Sequence, residues 1–301
     1  MTRPKLVASL FTTRQEYQAL QWTDLQAAGQ RLGFETELLD AEENGVLQIQ
    51  QLFRYVHAAP EGRPYAFVVQ THVPDGLERL ARNAVAAGIG WLLLNRQAPY
   101  LEALRRDHPD LPISAVTTDN EEIGRIQAAQ FRALLPAGGS VLYLQGPPPT
   151  AAARARLATA QAGVQGSGIQ LKVLPAEWTE SSGEQAVTAW LRLKTSELFE
   201  PNVVGCQNDA LALGARKALT AYRPEWARVP YTGCDGLEGG GQRLVKTGTF
   251  AATIVVPSCG GPAVDLLHRA FKRVEAPPPS VVVPPWSFPR VDELGRAVRS
   301  S

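Results

Sequence analysis

The chain has 301 residues, 45% of them hydrophobic and 20% charged, a balance that excludes a disordered or fibrous chain and is long enough for two ordinary globular domains. Thirty Lys and Arg against 29 Asp and Glu leave a formal net charge of +1, so no broad positive field is available to hold nucleic acid. Three cysteines, Cys206, Cys234 and Cys259, are too few for a disulfide framework and stand at the ends of expected strands, where a thiol packs as a small apolar group.

The first residues, Met1 to Phe11, carry two cations and then the short apolar run Leu6 to Phe11. That run is too short for the core of a signal peptide, and no stretch reaches the roughly 18 apolar residues of a membrane span. As written, the chain is expected to be cytoplasmic, or periplasmic if an export signal was trimmed or the start misassigned.

Short aliphatic or β-branched runs then alternate with longer amphipathic stretches, the pattern of a parallel sheet covered by helices. The expected strands are Lys5 to Phe11, Glu35 to Asp40, Ala66 to Gln70, Ile89 to Asn95 and Ile113 to Thr118. They continue with Ser140 to Gln145, Ile169 to Pro175, Val203 to Gln207, Val229 to Cys234, Phe250 to Val256 and Val281 to Val283. Several are apolar throughout, as strands covered on both faces should be. Between them, Leu25, Ala28 and Leu32 recur at helical spacing, as do Val264, Leu267 and Phe271, while Gly33 and Gly88 stand where helix ends are expected. About eleven strands exceed one ordinary doubly wound sheet, which implies two α/β lobes of about five strands each, the first ending near Thr118.

Open α/β sheets bind ligands at the carboxyl ends of their strands, and those ends are polar here. They carry Gln70, Asn95 with Arg96, Thr118 with Asp119, Gln145, Gln207 with Asn208 and Asp209, and Asp235. Any one could cap a helix, Asp119 and Asp209 above all; as a set they outline a polar pocket. Catalytic alternatives lack their machinery. His57, His72, His108 and His268 show no metal-ligand spacing, and Ser9, Ser181 and Ser258 have no G-x-S-x-G setting. The glycine cluster Gly236 to Gly241 is followed by Gln242 and Arg243 where a phosphate loop needs Lys and Ser or Thr, so it reads as a turn opening a helix.

Three segments carry a resemblance: Gln207-Asn208-Asp209-Ala210-Leu211-Ala212-Leu213-Gly214-Ala215, Gly233-Cys234-Asp235-Gly236, and Gly248-Thr249-Phe250-Ala251-Ala252-Thr253-Ile254. Leu94 to Gln97, Thr118 to Asn120 with Gly124, and Gln145-Gly146 leading to Thr150 through Arg156 support them. In this order they resemble the ribose-binding, periplasmic type I class of sugar-binding proteins, whose lobes also form the effector domain of LacI-type repressors.

The resemblance implies an α/β fold of two doubly wound parallel-sheet lobes joined by a hinge, the N-terminal lobe from residues 1–118 and 257–280, the C-terminal lobe from 119–256 and 281–301, with a ligand cleft between them. It implies a non-enzymatic protein that binds a monosaccharide or polyol, without metal or cofactor, and serves an ABC transporter permease or a sensor receptor. The alternative is the effector-binding part of a LacI-type regulator lacking its DNA-binding headpiece. Its implied ligand-binding residues are Tyr17, in the loop after the first strand, with Gln70, Asn95, Arg96, Thr118, Arg156, Trp178, Asn208 and Asp235. Carboxylate, amide and guanidinium groups match sugar hydroxyls, and aromatic faces cover sugar C–H groups. Asn95 stands where pentose binders often have aspartate, Cys234 where an aromatic is common and Val256 where a polar residue can reach ligand, so ribose itself is not implied.

Overall fold

A computed structural model describes residues 3–273 and 276–294. The elements begin with β1 (Lys5–Leu10), α1 (Glu16–Leu32), β2 (Glu35–Asp40), α2 (Gly45–Val56), β3 (Ala66–Gln70), α3 (Glu78–Ala86), β4 (Gly90–Leu94), α4 (Tyr100–Asp107) and β5 (Ile113–Thr118). Next come α5 (Asn120–Leu134), β6 (Gly139–Gln145), α6 (Ala151–Val164), β7 (Ile169–Pro175), α7 (Glu180–Leu191), β8 (Val203–Cys206) and α8 (Asp209–Tyr222). The chain ends with β9 (Tyr231–Thr232), α9 (Arg243–Lys246), β10 (Thr253–Val255), α10 (Gly260–Phe271), β11 (Ser280–Val283) and β12 (Trp286–Phe288).

Two compact units result, one from Met1–Thr118 with Ser258–Val283, the other from Asp119–Pro257 with Pro284–Ser301. The chain therefore passes from one unit to the other three times. In unit 1 the sheet order is β11-β5-β4-β3-β1-β2, every pairing parallel. The strands β3, β4 and β5 are buried along their whole length, which explains their unbroken apolar character. One face packs Phe67 and Trp91 against Leu52, Leu80 and Leu104 of α2, α3 and α4. The other packs Leu6, Val68 and Leu92 against Leu25 of α1 and Val264 and Leu267 of α10. Burying these side chains supplies most of the driving force, roughly 1.5–3 kcal/mol for each large one.

In unit 2 the sheet order is β7-β6-β8-β9, again parallel. Its strands lie between α7 and α8, through Val187, Leu211 and Leu219, and α5 and α6, through Phe131 and Ala160. An antiparallel pair, β10 and β12, completes the unit.

Several expectations shift. The strand Val281–Val283, assigned to the second lobe on sequence, belongs to unit 1, because β11 pairs in register with β5 from Ser280↔Ala115 to Val283↔Thr118. The run Val229–Cys234 yields only the two-residue β9; beyond it the chain is joined to 252–256 by isolated bridges, Thr232↔Ala252 and Asp235↔Val255. β12 has no counterpart among the expected strands; three residues beside prolines carry too little periodicity to announce a strand. Phe271 is 42% exposed and lies outside the buried stripe that Val264 and Leu267 form. Gly33, at φ 82°, ends α1 in the left-handed conformation that glycine adopts without steric cost.

Candidate functional site

Parallel pairing places the carboxyl ends of all strands in a sheet along one edge, so the polar strand ends gather within each unit. In unit 1, Gln70 ends β3, Asn95 follows β4 and Thr118 ends β5, three adjacent strands. The Gln70 side-chain oxygen accepts from the backbone N–H of Phe11 at 3.1 Å, fixing the start of the loop that leads to α1. The Thr118 hydroxyl donates to the Val283 carbonyl at 3.2 Å, tying two of the three chain passages to each other.

Asn95 has φ 59°, a conformation that asparagine tolerates better than most residues. It is only 9% exposed, and among the described residues its Oδ1 has no hydrogen-bond partner. A buried acceptor in that state costs about 1–3 kcal/mol unless a donor reaches it. Half-buried Arg96 donates from Nη1 to the Asn95 carbonyl at 3.0 Å. Tyr17 is not in a loop as the sequence reading expected: it lies in the first turn of α1, because the helix begins already at Glu16. The Tyr17 side chain and the Asn95 backbone both act to lower the Cys259 thiol, which burial nevertheless pushes up to about 12. Tyr17, Asn95 and the start of α10 thereby meet at one corner of unit 1.

Unit 2 is built around Arg156, on α6 and only 8% exposed. Its Nε donates to Asn120 Oδ1 at 2.9 Å, and its Nη1 donates to the Gln207 carbonyl at 2.7 Å and approaches Cys234 Sγ at 3.7 Å. The guanidinium lies 5.7 Å from the centre of the Trp178 ring, within range of a cation–π attraction. That ring rests on Gly146: a Cβ built at Gly146 would stand 2.1 Å from it, so only glycine fits beneath. Burial pushes the Cys234 thiol up to about 12 although the Arg156 charge beside it acts the other way.

Asn208 is 7% exposed and caps α8: its Oδ1 accepts from the Leu211 N–H at 2.8 Å while its Nδ2 donates to the Trp178 carbonyl at 3.1 Å. Asp209, which the sequence offered as a cap, is instead the first residue of α8. Its carboxylate accepts from the Gly236 N–H at 2.8 Å and from the Thr253 hydroxyl at 2.7 Å, anchoring the turn on which half-buried Asp235 is presented. The glycine cluster is that turn, continuing through the kinked segment Glu238–Gln242, where Gly240 leaves the helical conformation, into α9. Asp119, by contrast, does cap a helix, accepting from the Glu122 N–H at 2.8 Å at the start of α5.

Beneath Arg156 runs a buried polar network that sequence reasoning did not assign. The Gln207 side chain accepts from the Gly146 N–H at 3.0 Å and donates to the Tyr143 hydroxyl and to the Ala153 carbonyl, both at 3.0 Å. Tyr143 donates to Gln127 Oε1 at 2.6 Å, and Gln127 donates to the Cys206 carbonyl at 2.9 Å. Burial pushes the Tyr143 hydroxyl pKa upward, so it stays a donor. Only Gln207 had a signal in the sequence, as a polar strand end; Gln127 is one polar residue on a helix and Tyr143 one aromatic in a strand. Among the described residues no group of three or more His, Cys, Asp or Glu is placed to hold a metal ion, and no helix is long and apolar enough to cross a membrane.

A sequence model of the periplasmic binding protein domain matches residues 7–261. The chain belongs to this family. As a periplasmic binding protein domain it is 27% identical over 252 residues to the ribose import binding protein RbsB of Salmonella typhimurium, covering 82% of this chain and 78% of the relative. Its fold matches the Caulobacter myo-inositol binding protein, bound to myo-inositol, at a TM-score of 0.80 and 20% identity, over 100% of this chain and 98% of the other. It also matches the binding component of an arabinose ABC transporter from Shewanella sp. ANA-3, bound to L-arabinofuranose, at a TM-score of 0.80 and 17% identity, over 98% and 96% of the two chains. The fold is thus that of the periplasmic binding protein domain.

Proposed function

We propose that this chain is a solute-binding protein whose strand-end residues hold a monosaccharide or polyol and release it to an uptake system. The reading rests on one observation above all: Arg156, Asn208, Trp178 and Asp235 are positioned by a buried hydrogen-bond network on the carboxyl side of a parallel sheet. Planar polar groups and an aromatic face are what a polyhydroxylated ligand requires. Tyr17, Gln70, Asn95, Arg96 and Thr118 are assigned as the unit 1 contribution. The named relatives support the ligand class, since the proteins they describe handle ribose, myo-inositol or arabinofuranose. Their import and transporter names favour uptake over a regulator's effector domain.

No chemical step belongs to this reading: the carboxylate of Asp235 and the guanidinium of Arg156 accept from and donate to hydroxyls. Desolvation of the ligand strengthens each such bond. Calorimetry on protein stripped of ligand by unfolding and refolding, against a panel of pentoses, hexoses and polyols, tests it. Binding that Asp235→Ala removes is expected; silence across the panel and its acidic derivatives would sink the reading.

A further inference from the structure

Because β8 and β9 are parallel, α8 returns the chain to the amino edge of the unit 2 sheet, opposite the edge that carries Asn208. At that return two half-buried arginines lie on aromatic rings. The Arg216 guanidinium stands 5.8 Å from the centre of the Tyr231 ring, and that of Arg223 stands 4.8 Å from the Trp226 ring and 5.9 Å from the Tyr222 ring. The rings are joined in turn: the Tyr231 hydroxyl donates to the Trp226 carbonyl at 3.1 Å, and the rings of Tyr222 and Trp226 are 6.0 Å apart. Arg223 directly follows α8 and comes two helical turns after Arg216, so the pair falls near one face of the helix.

Every polar group this cluster offers is a donor. Arg216 Nε and the indole Nε1 of Trp226, a residue only 4% exposed, are enclosed without an acceptor among the described residues. Neither guanidinium donates to a protein acceptor or pairs with a carboxylate there. The neighbouring charges do not fill the gap. Glu184 is engaged by Lys217 at 2.7 Å, and exposed Glu225 forms no ion pair among the described residues. Burial pushes the Tyr231 hydroxyl pKa upward and the Arg216 charge acts the other way, with no carboxylate among the groups that act on it. The carboxyl end of α8 contributes about half a negative charge, less than the two cations bring. A guanidinium held against a ring has little rotamer freedom left to lose and still presents its N–H edge, the arrangement in which arginine takes an oxyanion through paired bonds.

We propose that Arg216 and Arg223, with the Trp226 indole beside them, form a site for an oxyanion, a phosphate or a carboxylate. It stands apart from the residues assigned to the sugar and does not depend on that reading. The indole N–H signal of Trp226 in the full chain, isotope-labelled at tryptophan and assigned with Trp226→Phe, tests it by titration with inorganic phosphate, succinate and chloride at constant ionic strength. A saturable shift is expected with phosphate or with succinate and not with chloride; response to one alone identifies the source of the oxyanion. Arg216→Gln and Arg223→Gln are each expected to raise the midpoint about fivefold or more. Arg223→Lys, which keeps the charge and loses the planar fork, is expected to raise it as well, and decides the matter should a glutamine variant fail to fold. Response to neither oxyanion, a shift that chloride reproduces, or a midpoint that these substitutions leave unmoved overturns the proposal.

Discussion

Arg156 Nη1 lies 2.7 Å from the carbonyl oxygen of Gln207, so the guanidinium is set by the backbone of the strand end β8 and not by an acidic side chain. The same Gln207, fully buried, ties Gly146, Tyr143 and Ala153 together through its amide. Replacing Gln207 with Leu leaves the Gly146 N–H without its partner and takes one donor each from the Tyr143 hydroxyl and the Ala153 carbonyl in an apolar setting. A loss of about 2–4 kcal/mol is expected, together with weaker ligand binding. Urea unfolding followed by a probe of unit 2 checks it, and a change within about 0.5 kcal/mol would contradict the assigned role, being the size of a neutral surface substitution.

Asn120 receives Arg156 Nε at 2.9 Å from the first turn of α5, one residue past its cap. Because Asn120 is only partly buried, Asn120→Ala is expected to change stability by less than about 1 kcal/mol. Loss of one bond that orients the cation is expected to weaken ligand binding about 5- to 30-fold. Parallel melting and calorimetry separate the two effects.

Asn208 has two structural duties, and two substitutions distinguish them. Asn208→Asp keeps an acceptor for the Leu211 N–H and so preserves the cap of α8, but it places a carboxylate where an amide donates to the Trp178 carbonyl. Asn208→Ala removes both. The alanine variant is expected to lose about 1–2 kcal/mol through the cap alone; the aspartate variant is expected to stay closer to the parent in melting temperature yet to bind ligand more weakly.

Gly146 supports the Trp178 ring at a distance that admits no side chain. Gly146→Val is expected to push the indole away from Arg156, removing a cation–π contact of about 0.5–2 kcal/mol and exposing the ring to water. A red shift of tryptophan emission with reduced ligand affinity is the expected outcome; unaltered emission would show that the ring tolerates displacement of its floor.

The thiols of Cys234 and Cys259 are each pushed up by burial to about 12 from an ordinary 9. Both are protonated, and therefore poor nucleophiles, in the folded chain at neutral pH. The folded value lies above the unfolded one. Their contribution to stability is thus intact below pH 9 and is lost as the pH rises toward 12, at up to about 1.4 kcal/mol per pH unit for each group. Thiol titration is expected to find no rapidly reacting cysteine until the chain is unfolded, and alkaline titration to find stability falling from about pH 9.

Much of the candidate site was legible because parallel α/β chains repeat a local rule: an apolar run buried on both faces ends at a polar residue beside a helix start. That rule picked out Gln70, Asn95, Thr118, Asn208 and Asp235 one strand at a time. It could not say which member of Asn208-Asp209 caps and which anchors. The two differ only in whether the side chain turns toward the Leu211 N–H or toward Gly236 and Thr253, a choice made by the neighbouring turn. Nor could it find Asn120, Gln127 and Tyr143, whose partners lie 36, 79 and 16 positions away.

The sequence by itself determined the alternation of strands and helices, the family, and the polar character of the strand ends, because each depends on residue type at short spacing. Tertiary structure alone decided that β11 returns to pair with β5, that Tyr17 begins a helix, and that Arg156 rests on neutral partners. Those outcomes depend on which backbone groups meet across long separations, where the need to satisfy buried hydrogen bonds and fill the core overrides local pattern.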